Sequence, residues 1–296
     1  GLVRQALLAT TALLPAALVA AMPAAAQAPA GGQVTAGSAT ISQSATTTQV
    51  NQSSARAVVD WQRFDVGRNH TVQFNQPSAQ AWTLNRVNTP DPSTIAGRIQ
   101  SNGGVAIVNQ SGVIFAPGAQ VNVGSLIASA AGISNQNFMA GRMVFDQPAR
   151  PGARVENHGS ITVAERGIAT LVGPGVANSG TIRARLGRVA LAGAETFTLD
   201  LAGDGLIALD VTGSVQRAPE GAVALVTNSG TIEAPGGSVL LTADAARGVI
   251  DTMMRNTGRI SADADAGAAA GQVAIRGGAG GDVRVEAGTV SAAGAA

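Results

Sequence analysis

Residues 178–191 read NSGTIRARLGRVAL, and the chain returns to this phrase again and again. It reappears as NHGSITVAERGIATL from 157, NSGTIEAPGGSVLL from 228 and NTGRISADA from 256. Every copy opens on Asn-x-Gly-x-Ile. The pairs Asn157/Gly159, Asn178/Gly180, Asn228/Gly230 and Asn256/Gly258 are predicted corners, because Asn and Gly enter left-handed backbone conformations cheaply. Alternating apolar residues follow each corner, as in Ile182 and then Val189 and Leu191, which marks strands with one buried face. The four starts are separated by about one, two and one units of twenty-odd residues. Repeats of ~20–50 residues mark solenoids, propellers or arrays. A unit this long holds two or three short strands with corners between them, one coil of a parallel β-helix.

The same texture extends upstream. VNQSGVIFAPGAQVNVGSLIASAAGIS, residues 108–134, alternates short apolar bursts with Asn, Ser and Gly. The chain is 45% hydrophobic, only 12% charged and 3% aromatic, with 38 Gly among 296 residues, so its core must rest on Val, Ile, Leu and Ala. Strands stacked ~4.8 Å apart leave little room for aromatics and set like charges on top of one another. The fold class is therefore all-β, a parallel β-helix of ~10–12 coils at ~22 residues each, a rod ~50–60 Å long. A β-sandwich would explain the alternation but not the recurring phrase. In this register Ile182 and Val189 point inward, whereas Arg183 and Arg188 point outward.

Net charge is +1, from 19 Arg and no Lys, with no clustered basic segment to bind nucleic acid. The absence of Cys excludes disulfides, thiolate metal sites and thiol nucleophiles. Residues 1–26 read as a signal peptide: Arg4 begins it, Ala6 to Met22 are apolar, and Ala24 and Ala26 set the cleavage site. The mature chain is expected to be exported and not to span a membrane. Residues 27–59, rich in Ser, Thr and Gln, read as strands that cap the open end of the solenoid.

WQRFDVGRNHTVQFNQPSAQAWTLNRV, from Trp61, and DPSTIAGRIQSNGGVAIVNQSGVIFAPGAQVNVGSLIAS, from Asp91, carry a more specific likeness. They resemble the N-terminal secretion domain of filamentous haemagglutinin-type exoproteins, the exported partners of two-partner secretion systems. The likeness runs from about Val34 to Ile133 and loosely into the repeats. It implies a right-handed parallel β-helix with an N-terminal β cap, in which residues 27–145 are the secretion domain and 146–296 further repeats. It also implies a partner, an outer-membrane barrel transporter with periplasmic POTRA modules. The family signature, Asn-Pro-Asn-Gly-Ile, falls on Asn109, Gln110, Ser111, Gly112 and Val113. Phe74, Asn75 and Gln76 open a second matching block. These eight residues are the expected recognition set.

No catalytic or metal constellation is expected, and no cofactor. His70 and His158 read as exposed loop residues. Asp263 and Asp265, and Asp200 and Asp204, read as solvated carboxylates in turns. GGAGGDVRV, from Gly277, copies a calcium-binding repeat only in part and reads as a Gly-rich corner. The resemblance, with the signal peptide, implies a protein that reaches the cell surface or medium of a Gram-negative bacterium through the periplasm. It is expected to act as an adhesin-like exoprotein toward a host or neighbouring cell. The alternatives are a polysaccharide lyase on the same scaffold, which needs Asp, Arg or His clustered on long loops, and an autotransporter passenger.

Overall fold

The computed structural model describes residues 28–201, 208–264, 269–278 and 281–294. Ala24, Ala26 and the rest of the leader fall outside the described residues, as do Asp204 and Asp265.

One coil shows how the repeated phrase folds. Gly175–Asn178 joins a seven-stranded sheet, Thr181–Arg183 a ten-stranded sheet and Arg188–Gly193 a nine-stranded sheet. The next copy lies on it in register, pairing Asn178 with Asn228, Ile182 with Ile232 and Val189 with Val239, all parallel. Three sheets thus wrap one core, and the chain is a parallel β-helix. Ile182 and Val189 are fully buried in that core, as the register requires. Arg183 is exposed and pairs with Glu233 of the coil above at 2.9 Å.

The coil count is lower than expected. Among the described residues, one strand of the ten-stranded sheet, Ala39–Gln43, is antiparallel, and the other nine stack in parallel. Nine levels at the strand spacing give a stack of about 40 Å. The missing coils went into insertions between Ser129 and Arg154 and between Gly193 and Val226.

The corners also differ in mechanism. None of Gly159, Gly180, Gly230 or Gly258 has a positive φ. Stacking is what demands glycine: a Cβ on Gly230 would lie 2.1 Å from the carbonyl oxygen of Gly180 in the coil below. The left-handed residues sit at the following corner, at Arg166, Leu186 and Gly236 (φ 64°, 51° and 64°). The asparagines turn inward and form a buried ladder. Asn157 Nδ2 donates to Asn178 Oδ1 at 2.8 Å, Asn178 to Asn228 at 2.8 Å and Asn228 to Asn256 at 2.7 Å. The first three amides find in the next coil a partner for the water lost on burial, and Asn256 donates to the Gly258 carbonyl of its own corner at 3.3 Å.

The inner strands of the nine-stranded sheet, such as Gly104–Asn109, Ile168–Gly173 and Arg188–Gly193, are buried on both faces. Outside it lies a second core in which Leu84, Ile127, Val172 and Ala190 pack under Phe138, Met143, Phe145 and Phe197. The helix Asn135–Met139 and an antiparallel sheet of Met143–Phe145, Thr196–Asp200 and Ala208–Gly213 supply that cover. Phe145 and Phe197 stack at 4.4 Å and 7°. Arg188 points into this cover rather than to open solvent, is half-buried and donates to the Leu201 carbonyl at 3.3 Å.

At the N-terminal end all three sheets are closed. Gln33–Ala36 pairs antiparallel with Arg56–Trp61, and Ala39–Gln43 with Thr47–Gln52, which together form the expected β cap. The seven-stranded sheet begins only at Ser93–Ile95. There the Asp65 carboxylate accepts from the Thr94 N–H at 2.7 Å, and Val66 bridges Ile95 in parallel.

Candidate functional site

The residues Asn109 to Val113 form the corner between the nine-stranded and seven-stranded sheets, linking Gly104–Asn109 to Gly112–Phe115. Asn109 is fully buried, and its side chain is saturated. Its Nδ2 donates to the Asp91 carbonyl at 2.9 Å and to Ser93 Oγ at 3.1 Å, and its Oδ1 accepts from the Ser111 N–H at 2.9 Å. Gln110 and Ser111 are half-buried. Gln110 Nε2 donates to the Pro148 carbonyl at 2.7 Å and Ser111 Oγ to the Thr89 carbonyl at 3.2 Å. Gly112 has φ +117°, and a Cβ there would sit 2.5 Å from the Arg154 carbonyl oxygen. Val113 is wholly inside the core.

Phe74, Asn75 and Gln76 occupy a different corner. Phe74 is fully buried, and Asn75 is exposed and donates to Asn51 at 2.7 Å. Gln76 anchors a buried polar chain: its Nε2 donates to Thr83 Oγ1 at 2.9 Å and to the Gly104 carbonyl at 2.8 Å, while Thr83 donates onward to Gln52 at 2.6 Å. The two blocks therefore do not form one patch. They grip opposite ends of the strand Gly104–Asn109, about 17 Å apart at the rise of an extended chain. Asn75 is the only one of the eight that is exposed.

Both histidines depart from the exposed-loop expectation. His70 is fully buried and shares a hydrogen bond of 2.8 Å with Thr48 Oγ1; burial pushes its imidazole below the ordinary range. His158 is half-buried, with Nδ1 2.6 Å from Ser179 Oγ and Nε2 3.0 Å from Glu156 Oε2. That Ser–His–Glu relay has no oxyanion hole beside it, since the Ser179 and Gly180 N–H groups both donate to the Asn157 carbonyl, at 2.8 and 3.0 Å. It is a stacking contact between neighbouring corners. Among the described residues no three His, Asp or Glu side chains gather as metal ligands, and no helix is long and apolar enough to cross a membrane.

Asp263 is not simply solvated. The Ala293 N–H and the hydroxyls of Ser291 and Ser261 donate to it and hold its carboxyl well below 3.8, at about 2. A folded value below the unfolded one gives stability that is complete above about pH 4 and lost as pH falls through about 2. Hydrogen exchange at Ala293 is expected to speed up across that window in the native chain and to show no such step in Asp263→Asn.

A family model described as the TPS secretion domain matches residues 25–294. The chain belongs to that family. TPS secretion domains are parts of exoproteins that Gram-negative bacteria secrete by two-partner secretion with a partner outer-membrane transporter, and the family is not an enzyme family. Two heme/hemopexin-binding proteins of Haemophilus influenzae are similar in sequence. One is 32% identical over 171 residues, 54% of this chain and 19% of the relative; the other is 40% identical over 80 residues, 27% and 9%. This TPS secretion domain thus spans less than a fifth of the length of either. In fold it is similar to the HMW1 secretion domain of Haemophilus influenzae, with TM-score 0.63, 23% identity and 90% and 84% of the two chains covered. It is also similar to a filamentous hemagglutinin secretion domain, with TM-score 0.54, 16% identity and 88% and 96% covered.

Proposed function

We propose that residues 27–145 of this TPS secretion domain direct export through a barrel transporter, and that the coils of 146–296 supply the folding bias outside the cell. The partner's periplasmic POTRA modules bind the chain before it folds, reading Asn109 to Val113 and Phe74 to Gln76 in extended form by strand addition. One observation carries this reading: Asn109, Val113, Phe74 and Gln76 are buried in the finished coil, so a partner meets them only while the chain is open. A barrel without an energy source needs a downhill process on the far side. Docking each coil on the last provides one.

The whole exoprotein acts at the bacterial surface or in the medium, toward a host or neighbouring cell and without catalysis. The heme and hemopexin binding named for the two relatives is not carried over to this segment, which matches less than a fifth of either. The test uses the purified POTRA modules and the purified chain, presented folded or kept unfolded in urea and diluted at once. The unfolded chain is expected to bind at least about tenfold more tightly. Equal binding of the folded chain would overturn the reading.

A further inference from the structure

The corner at Asn109 to Val113 is closed by a residue far along the chain. Arg150 lies 39 positions beyond Ser111 and 61 beyond Thr89. Its Nη1 donates to the Thr89 carbonyl at 2.8 Å and to Ser111 Oγ at 3.0 Å, and its Nη2 donates to the Asn88 carbonyl at 3.4 Å. Its own main-chain N–H donates to the Gln110 carbonyl at 2.8 Å. Ser111 Oγ donates to that same Thr89 carbonyl, so hydroxyl, guanidinium and carbonyl form a closed ring. Gln110 reaches back to the Pro148 carbonyl, which adds a second tie between the corner and the returning segment.

We propose that Arg150 is a positioning residue whose side chain and backbone latch this corner, and that the latch closes only after residues 130–149 have folded over the outer face of the nine-stranded sheet. That segment carries Phe138, Met143 and Phe145 into the outer core and is pinned where Gly132 and Gln147 exchange backbone hydrogen bonds of 2.7 and 3.2 Å. A contact across so long a loop forms only once the intervening chain has been placed. Until then only Asn109 and the Ser111–Thr89 hydrogen bond shape the turn, and Gln110 stays open to the transporter. This consequence for export rests on the function proposed above. The latch needs the planar fork of Arg, because its three acceptors diverge around one guanidinium; an ammonium is a single point charge on a flexible stem.

The test is hydrogen exchange on the purified folded domain, which involves no transporter. Arg150→Ala is expected to speed exchange of the Ser111 and Arg150 amides at least about tenfold while the amides of Ile182 and Val189 keep their rates. Arg150→Lys should recover only part of the protection. Arg150→Ala with Ser111→Ala should open the corner no further than Arg150→Ala alone, because the two share one ring. Unchanged exchange at 111 and 150 would overturn the latch. So would an equal rise at every core amide, which would make Arg150 a general stabiliser, or full recovery by Lys, which would reduce it to a charge. In the binding assay above, the unfolded Arg150→Ala chain should bind POTRA modules within about twofold of the native chain; a larger loss would make Arg150 part of the recognition sequence instead. Failure of Asn109 and Gly112 variants to affect export would sink the export reading and leave the exchange result standing.

Discussion

Asn109→Ala combined with Gly112→Val is expected to cut secreted protein at least about tenfold when the chain is co-expressed with its cognate transporter. The two changes act on different parts of one corner. Removing the Asn109 amide takes away the partner of the buried Ser93 hydroxyl, at 3.1 Å, and of the half-buried Ser111 N–H and the Asp91 carbonyl, both at 2.9 Å. Each buried polar group left without a partner costs about 1–3 kcal/mol. Valine at 112 would have to adopt φ +117°, which a β-branched residue resists, with its Cβ 2.5 Å from the Arg154 carbonyl oxygen. The coil that follows, where Arg154–Asn157 pairs with Gly112–Phe115, would lose its seat. The same two residues also lie in the stretch that the transporter is proposed to read. Comparing extracellular with periplasmic protein measures export, and binding of the unfolded variant to POTRA modules separates lost recognition from lost folding. Normal secretion of the double variant would remove this corner from the export mechanism.

Ile182→Asp is expected to destabilise the domain by at least about 4 kcal/mol, enough to abolish a cooperative unfolding transition in a protein of ordinary stability. The side chain is fully buried between Ile161 and Ile232 of the neighbouring coils, and the core around it is apolar among the described residues. A carboxylate there must lose its hydration or take up a proton, so the loss should be greatest at neutral pH and smaller in acid. Arg183→Asp, one position on, provides the contrast. Its side chain is 53% exposed, and the change replaces an ion pair with Glu233 by two neighbouring carboxylates in water, worth about 1 kcal/mol. Urea titration of both variants reads the difference directly. Equal midpoints would show that Ile182 does not face the core.

Much of this architecture is legible in the repeated phrase because the forces that build it are local or repeat at every coil. Ile182, Val189 and their counterparts must alternate to share one inner stripe. The period of twenty-odd residues is the circumference of a coil. The glycines at 180 and 230 were legible as corners, yet for an incomplete reason: the obstacle is the carbonyl of the coil below, a neighbour that a single copy does not display. The second core could have been suspected. GVAIVN, IATLVG and SVLLTA are apolar almost without interruption, the mark of strands covered on both faces. What covers them is not legible, because Phe138, Phe145 and Phe197 come from insertions that break the period.

The sequence alone determined a β-helix and its register, consequences of periodicity and turn chemistry, and a capped end from composition, while the corner at 109–113 came from the family resemblance. Only the tertiary structure decided that His70 is enclosed against Thr48, that the corner asparagines link into one ladder, and that the eight resembling residues grip the two ends of one strand. It also decided that Arg150 closes the corner from 39 residues beyond Ser111. The physical reason is range. Hydrogen bonds and packing act over a few ångströms, and which distant residues come that close depends on how coils and insertions stack, not on any spacing along the chain.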